Sequence, residues 1–438
     1  MFKYTHTITK LNFNQHEINL LMQYVDFFLI SLIDGLRQST FGLNTLIKTA
    51  KDIEKLHKRF IGEDKKWMID SGGYSIIVGD VSPRDMSKFM DCYNHYLEFY
   101  AENCCDYILS LDIPILLKYP EYNNIKYITD MNYLSGTKSR KILDGNKKLY
   151  DKFIFVWQFK TPKQYKIWNN YYNDIFSDCK ELKNFAIGGQ VGLRGITGID
   201  FSPFIGSCYQ ILDIIYKKDL NCESLLHLLG IYGLHDRFLM GILDRLFNKY
   251  YLVERQGSIK ISFDTINHLV SGLFKIRELK SVIIEEGKIL YDYNHKMIDK
   301  FDLLIEDIVT LKEIKRNLQN IVDNNRIGDT NIVAILEVIK NQMFNRIMDA
   351  AIDHYRIVEL FIDCGTFNKF KNQFIPIYLQ LEKDFPYIFK NLQNKLLINF
   401  QLIYSFDLWW RNGHDPKELE KMMGKFINMI GYPFDLKT

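Results

Sequence analysis

The chain has 438 residues, is 47% hydrophobic and carries a formal charge of +3, so it can bury a large core in one or two domains and has no global electrostatic signature of a nucleic-acid binder. Its seven cysteines have no framework spacing, which fits a reducing compartment better than a secreted disulfide scaffold. Residues Met1 to His6 lack the basic-then-apolar pattern of a leader, and no apolar run approaches the roughly 18 residues that a membrane span needs, so a cytoplasmic protein without a membrane partner is expected.

In chain order, the first apolar run of strand type is Asp26 to Ser31, followed by a polar helical stretch to about Phe60. A second run, Trp67-Met68-Ile69, ends abruptly in Asp70-Ser71-Gly72-Gly73. Two glycines there allow a sharp turn and bring main-chain amides close to a ligand. Ser82-Pro83 reads as a helix start, with an apolar face of Met86, Phe89, Met90, Tyr93 and Leu97. Strands follow at Tyr107 to Leu111, ending in Asp112, and at Phe153 to Gln158, with a basic helix expected from Lys138 to Lys152 between them. Thr161-Pro162 and Ser202-Pro203 read as two more helix starts. Further strands are Asn184 to Ile187, leading into Gly188-Gly189-Gln190, then Leu225 to Gly230 and Ile259 to Phe263, leading into Asp264.

Short, almost wholly apolar strands alternating with helices imply a parallel sheet buried on both faces. About seven such units fit an α/β fold of the (β/α)8 TIM-type barrel class, with the eighth strand not located by the pattern. Val282 to Tyr291 reads as a hairpin or edge element. From about Lys296 the texture becomes helical, through Leu303 to Val322, Ile332 to Ile347 and Tyr387 to Trp410. The expected division is a barrel over 1–294 and an all-helical C-terminal region over 295–438.

Barrel strands converge at their C-terminal ends, so Asp70, Asp112, Gln158, Gly188, Gly189 and Asp264 should meet at one mouth. Several carboxylates with an amide suit chemistry at a glycosidic bond: one carboxylate attacks or stabilises the anomeric carbon and another shuttles a proton. Gln and Asp also match the hydrogen-bonding edge of a nucleobase.

These residues carry a resemblance. Asp70-Ser71-Gly72-Gly73-Tyr74 resembles the Asp-Ser-Gly-Gly-Phe motif of tRNA-guanine transglycosylases, and Phe185-Ala186-Ile187-Gly188-Gly189 looks like that family's base-recognition loop. His227-Leu228-Leu229-Gly230-Ile231-Tyr232-Gly233 is similar to its Tyr-Leu-Met-Gly-Val-Gly strand, and Ser262-Phe263-Asp264 sits where the family has its nucleophile. The four motifs stand in family order over roughly half the chain. The resemblance implies a barrel in which Asp264 is the nucleophile and Asp70 the general acid/base. It also implies that Ser71, Gly72, Asp112, Gln158, Gly188, Gly189 and Gln190 bind the base.

Departures from the family are equally specific. The tRNA enzymes hold a structural zinc with a Cys-x-Cys-x-x-Cys and a distant His, and no such spacing occurs here; no metal and no cofactor are expected. The stretch after Asp264 is Thr265-Ile266-Asn267-His268 instead of Met-Pro-Thr-Arg, and the C-terminal half has no counterpart. The chain is therefore most similar to the DNA-guanine transglycosylases of phages and genomic islands (the DpdA-like group). That likeness implies exchange of guanine in DNA for a 7-deazaguanine base such as a preQ0-type substrate, in a host cytoplasm if phage-encoded, with room for a helper protein. The alternatives are the same chemistry on RNA, a non-catalytic nucleic-acid-binding barrel, and a glycoside hydrolase.

A flipped or single-stranded guanosine needs aromatic and basic neighbours. Three stretches offer them: Lys369-Phe370-Lys371, Trp409-Trp410-Arg411-Asn412-Gly413-His414, and the basic helix with Lys138, Arg140, Lys141, Lys147 and Lys148. Each has an ordinary alternative as core or solvated face. His227 reads as a satisfied core histidine, Cys104-Cys105 as packing at a helix end, and His268 as a residue near the substrate.

Overall fold

The computed structural model describes residues 3–8, 27–32, 42–59, 65–73, 76, 81–114, 120–159, 162–189, 204–231, 234–264, 279–285, 288–293, 296–302, 354–384, 389, 391–413, 415, 417–419 and 421–422. Among these, eight strands form one curled, all-parallel sheet: β1 (Lys3–Ile8), β2 (Phe27–Ser31), β3 (Lys66–Asp70), β4 (Tyr107–Leu109), β5 (Phe153–Gln158), β6 (Asn184–Gly188), β7 (Glu223–Leu228) and β8 (Ser258–Asp264). Each strand pairs with the next in sequence order, and β1 pairs with β8 as well as with β2. Parallel neighbours require crossover connections. Six of these contain described helices: α1 (Leu43–Arg59), α2 (Met86–Phe99) with the short α3 (Ala101–Cys104), α4 (Ile125–Gly145), α5 (Pro162–Ile175), α6 (Phe204–Lys217) and α7 (Leu234–Arg255).

The apolar runs divide by parity, because successive strand side chains point to opposite faces. One set, with Phe28, Trp67, Ile69, Phe155, Trp157 and Ile187 among its members, joins the helices in a large buried cluster. The alternate set, Phe27, Leu29, Met68, Leu109, Ile154, Val156, Ala186 and Leu225, forms a small separate cluster inside the curl of the sheet. Burial on both faces explains why the strands read as continuous hydrophobic runs. By the same parity Asp70, Gln158, Gly188, His227, Ser262 and Asp264 belong to the inner set, two or more residues above its apolar members.

The strand starts are tied by side chains. The Trp67 N–H donates to Asp106 Oδ2 at 2.9 Å, and Lys66 donates to Oδ1 of the same carboxylate at 3.0 Å. Asn184 accepts from the Leu225 N–H (3.0 Å) and donates to the Asp151 carbonyl (2.8 Å), tying β6 to its surroundings on both sides. Asn248 of α7 accepts from the Ile259 N–H and donates to the Ile259 carbonyl, both at 2.8 Å.

The strand that the hydrophobic pattern did not locate is β1. Its sequence Lys-Tyr-Thr-His-Thr-Ile is mostly polar, with Tyr4 and Ile8 as its apolar members, unlike the apolar runs of β2 and β5. Ser82-Pro83 does not open a helix directly: the Asp85 N–H bonds back to the Ser82 carbonyl (3.0 Å) in a turn, and α2 begins at Met86. The basic stretch belongs to α4, which starts at Ile125, and to a 3-10 turn over Lys147–Asp151.

Val282 to Glu285 and Lys288 to Tyr291 lie in an antiparallel pair, β9 (Leu279–Glu285) with β10 (Lys288–Tyr293). A third strand, β11 (Lys296–Asp302), completes this sheet. Strand structure thus continues past residue 295, where a wholly helical region was expected to begin. The stretches Leu303 to Val322 and Ile332 to Ile347 lie outside the described residues. Beyond them are α8 (His354–Asp363), α9 (Phe367–Asp384) and α10 (Gln393–Arg411). These helices share the large cluster with the sheet and its helices. Lys249 of α7 bonds both carboxylate oxygens of Glu359 at 2.6 and 2.7 Å, and the Tyr209 hydroxyl of α6 donates to Asp407 at 3.4 Å. A Cβ on Gly206 of α6 would lie 2.7 Å from the Phe406 ring, so glycine is what lets α10 approach.

Candidate active site

The segment after β4 carries Asp112 without ladder partners of its own, and side chains hold it in place. The Ser110 N–H continues to the Ile154 carbonyl (2.8 Å), while its hydroxyl accepts the Val156 N–H (2.9 Å) in place of a strand carbonyl. Asn132 of α4 then clamps Ile113, accepting its N–H at 2.9 Å and donating to its carbonyl at 3.0 Å. Asp112 is fixed between these clamps and is 2% exposed.

Its carboxylate has two donors. The Ser71 hydroxyl donates to Oδ1 at 3.1 Å, and the Gln158 amide nitrogen donates to Oδ2. Burial pushes the Asp112 carboxyl up to about 7, against the two hydrogen bonds, which favour the ionised form. Three of the predicted residues, from the ends of β3, β4 and β5, therefore form one buried polar set.

The glycines around this set are required by space. A Cβ on Gly73 would lie 3.1 Å from Asp112 Oδ2, and one on Gly188 would lie 2.9 Å from Gln158 Cδ. Gly72 and Gly189 have φ of 97° and 78°, a region that residues with side chains rarely adopt. A side chain at Gly189 would also meet the Phe159 carbonyl at 2.9 Å. Gly73, Gly188 and Gly189 thus let the main chain pack directly against the Asp112–Gln158 pair.

Asp70 stands at the inward end of β3, half-buried and in register with Ser31 of β2. Asp264 ends β8 and is 7% exposed. Its Oδ1 accepts the Gly230 N–H at 2.8 Å, across the end of β7. His227 lies beside it, fully buried, with Nε2 3.4 Å from Asp264 Oδ1 and Nδ1 2.8 Å from the Ser262 hydroxyl. The reading of His227 as a core histidine accounts for its burial but misses its contact with the candidate nucleophile. The signal for that contact is register: His227 pairs with Ser262, so its inward side chain lies just below Asp264.

Among the predicted site residues, Gln190 lies outside the described residues, as do His268 and the rest of the segment after Asp264. The predicted stacking residues are core. Phe370 is fully buried among Phe361, Phe374 and Phe400. Trp409 and Trp410 are 4% and 5% exposed, with the Trp409 indole donating to the Asp415 carbonyl (2.7 Å) and Trp410 edge-on to Tyr216. Their rings are occupied by the packing of the C-terminal helices.

The basic stretch is largely neutralised. Lys138 pairs with Asp91, Arg140 with Asp144 and Asp178, Lys147 with Glu181, and Lys148 with Glu102. Lys147 and Lys148 also lie just before β5, at the end of the sheet opposite Asp112. Cys104 and Cys105 are buried at the end of α3, and burial raises both thiols. Among the described residues no group of three or more His, Cys, Asp or Glu is placed to hold a metal ion, and no helix is long and apolar enough to cross a membrane. Comparison with protein-family models and with curated proteins gives no match.

Proposed function

We propose that the chain is a base-exchange transglycosylase acting on guanine in DNA, built on a (β/α)8 barrel of TIM type. The observation that carries this reading is the buried Asp112–Ser71–Gln158 set beside Gly188 and Gly189, at the same sheet end as Asp70 and Asp264. A carboxylate and an amide set among glycines suit the polar edge of a purine better than the many hydroxyls of a sugar.

In this reading Asp264 Oδ2, the oxygen not engaged by Gly230, attacks C1′ of the target nucleotide. The C1′–N9 bond breaks, its electrons leave with the base, and the departing guanine takes a proton from Asp70. The incoming 7-deazaguanine returns a proton to Asp70 as its ring nitrogen attacks C1′ and releases the Asp264 carboxylate. The Gly230 N–H orients Oδ1, and Asp112 with Gln158 reads the base edge. Duplex DNA must flip the nucleotide out for C1′ to be reached.

The test is incorporation of radiolabelled guanine by purified protein offered duplex DNA and bulk tRNA in parallel. Label in DNA that disappears in Asp264→Asn is the expected result. Label in tRNA alone would transfer the same chemistry to RNA, and label in neither would overturn base exchange.

A further inference from the structure

The His227 ring is wholly buried, one of its nitrogens has no hydrogen-bond partner, and that nitrogen faces the candidate nucleophile. We propose that His227 is a positioning residue for Asp264: its imidazole carries a proton on Nε2 and not on Nδ1 and, with the Gly230 N–H, holds Asp264 Oδ1 so that Oδ2 is left to attack.

The two neighbours of the ring decide the tautomer. Asp264 Oδ1 already accepts the Gly230 N–H at 2.8 Å, so it is an acceptor, and the ring atom 3.4 Å away must present a hydrogen. A bare Nε2 lone pair on this fully buried ring would instead face a carboxylate oxygen, leaving a buried acceptor opposed to another acceptor. Ser262 completes the arrangement. It is fully buried, and its hydroxyl lies 2.8 Å from Nδ1, where it can donate to an unprotonated nitrogen. Register fixes the geometry, because His227 and Ser262 are paired residues on β7 and β8, and Asp264 is the next inward residue after Ser262. At 3.4 Å the Nε2 contact is longer than a good hydrogen bond, and catalytic contacts of this kind shorten when substrate closes the site.

The role rests on the proposed base exchange, but the tautomer is measurable without it. Nitrogen-15 NMR of the histidine-labelled full chain, with His227 assigned by its absence from His227→Gln, should find Nε2 protonated and Nδ1 bare. A proton on Nδ1 would overturn the proposal whether or not the protein exchanges bases.

Kinetics then separate positioning from packing. Gln extends its amide towards the place of Nε2, whereas the shorter Asn reaches only that of Nδ1. His227→Gln should keep kcat within about threefold of wild type, and His227→Asn should lose about 10–100-fold in kcat with KM little changed, as expected when a reacting group is misplaced by a fraction of an ångström. Equal losses in two folded variants would mean that the ring only fills space, and would overturn the proposal. Failure of wild-type protein to exchange bases on DNA and RNA would sink the functional reading alone, with the NMR result still deciding the tautomer.

Discussion

The Gln158 side chain donates to Asp112 across the boundary of two neighbouring strands, and neither partner of this buried pair is more than 8% exposed. An amide can turn to present its oxygen or its nitrogen, whereas a carboxylate bound to it is held in one orientation. The pair therefore has a fixed geometry beside the ends of β4, β5 and β6.

The ionisation of Asp112 gives the first prediction. A carboxyl raised from an ordinary value of 3.8 to about 7 binds its proton more tightly in the folded chain than in the unfolded one. Its contribution to stability is then fully present below about pH 3.8 and is lost as pH rises towards 7, at most about 4 kcal/mol over three pH units. Urea unfolding of wild type and Asp112→Asn across this range should show the wild type losing stability relative to the variant as pH rises. Parallel curves would mean that Asp112 titrates normally.

Asp264→Asn keeps an oxygen for the Gly230 N–H and removes the proposed nucleophile. Base exchange should fall by several orders of magnitude, in line with loss of a covalent catalyst, while the thermal melt stays close to that of wild type. A denaturing gel of protein mixed with guanine-containing DNA should show a covalent adduct with wild type and none with the variant.

Gly189→Ala tests this close packing. The substitution places a side chain on a backbone with φ of 78° and 2.9 Å from a main-chain carbonyl. A cost of about 1–3 kcal/mol is expected from the backbone alone. Chemical denaturation measures it, and nucleobase affinity by calorimetry should fall further than in a surface control.

Much of the sheet is readable from sequence because its strands are buried on both sides. Phe153 to Gln158 is legible at both ends, since no polar residue interrupts the run before Gln158. Lys3–Ile8 does not meet the same criterion, because four of its six residues are polar. The carboxylates at strand ends were legible one by one, because a polar residue closing an apolar run is a local signal. The clamps were not. Asn132 holds Ile113 from a helix 19 residues later, and the Gly230 N–H reaches Asp264 only through the register of β7 and β8. Phe370, Trp409 and Trp410 misled for the opposite reason: an aromatic beside a cation has the same local sequence in a core as at a nucleic-acid surface.

Phe406→Ala tests how the C-terminal helices are joined to the sheet. Phe406 is 1% exposed, packs on Tyr209 and sits against Gly206. Truncation should cost about 3–5 kcal/mol, and calorimetry should show one transition moving to lower temperature. Two transitions with only the lower one shifted would mean that α8 to α10 melt separately.

The side-chain ties made by Asp106, Asn184 and Asn248 all lie at the beginnings of strands, whereas Asp70, Asp112, Gln158 and Asp264 lie at the ends. What holds the strands in register is therefore spatially separate from the candidate site. Such a chain can diverge rapidly at one rim while its sheet persists. Selection can alter the residues at that rim without first finding a new way to keep the protein folded.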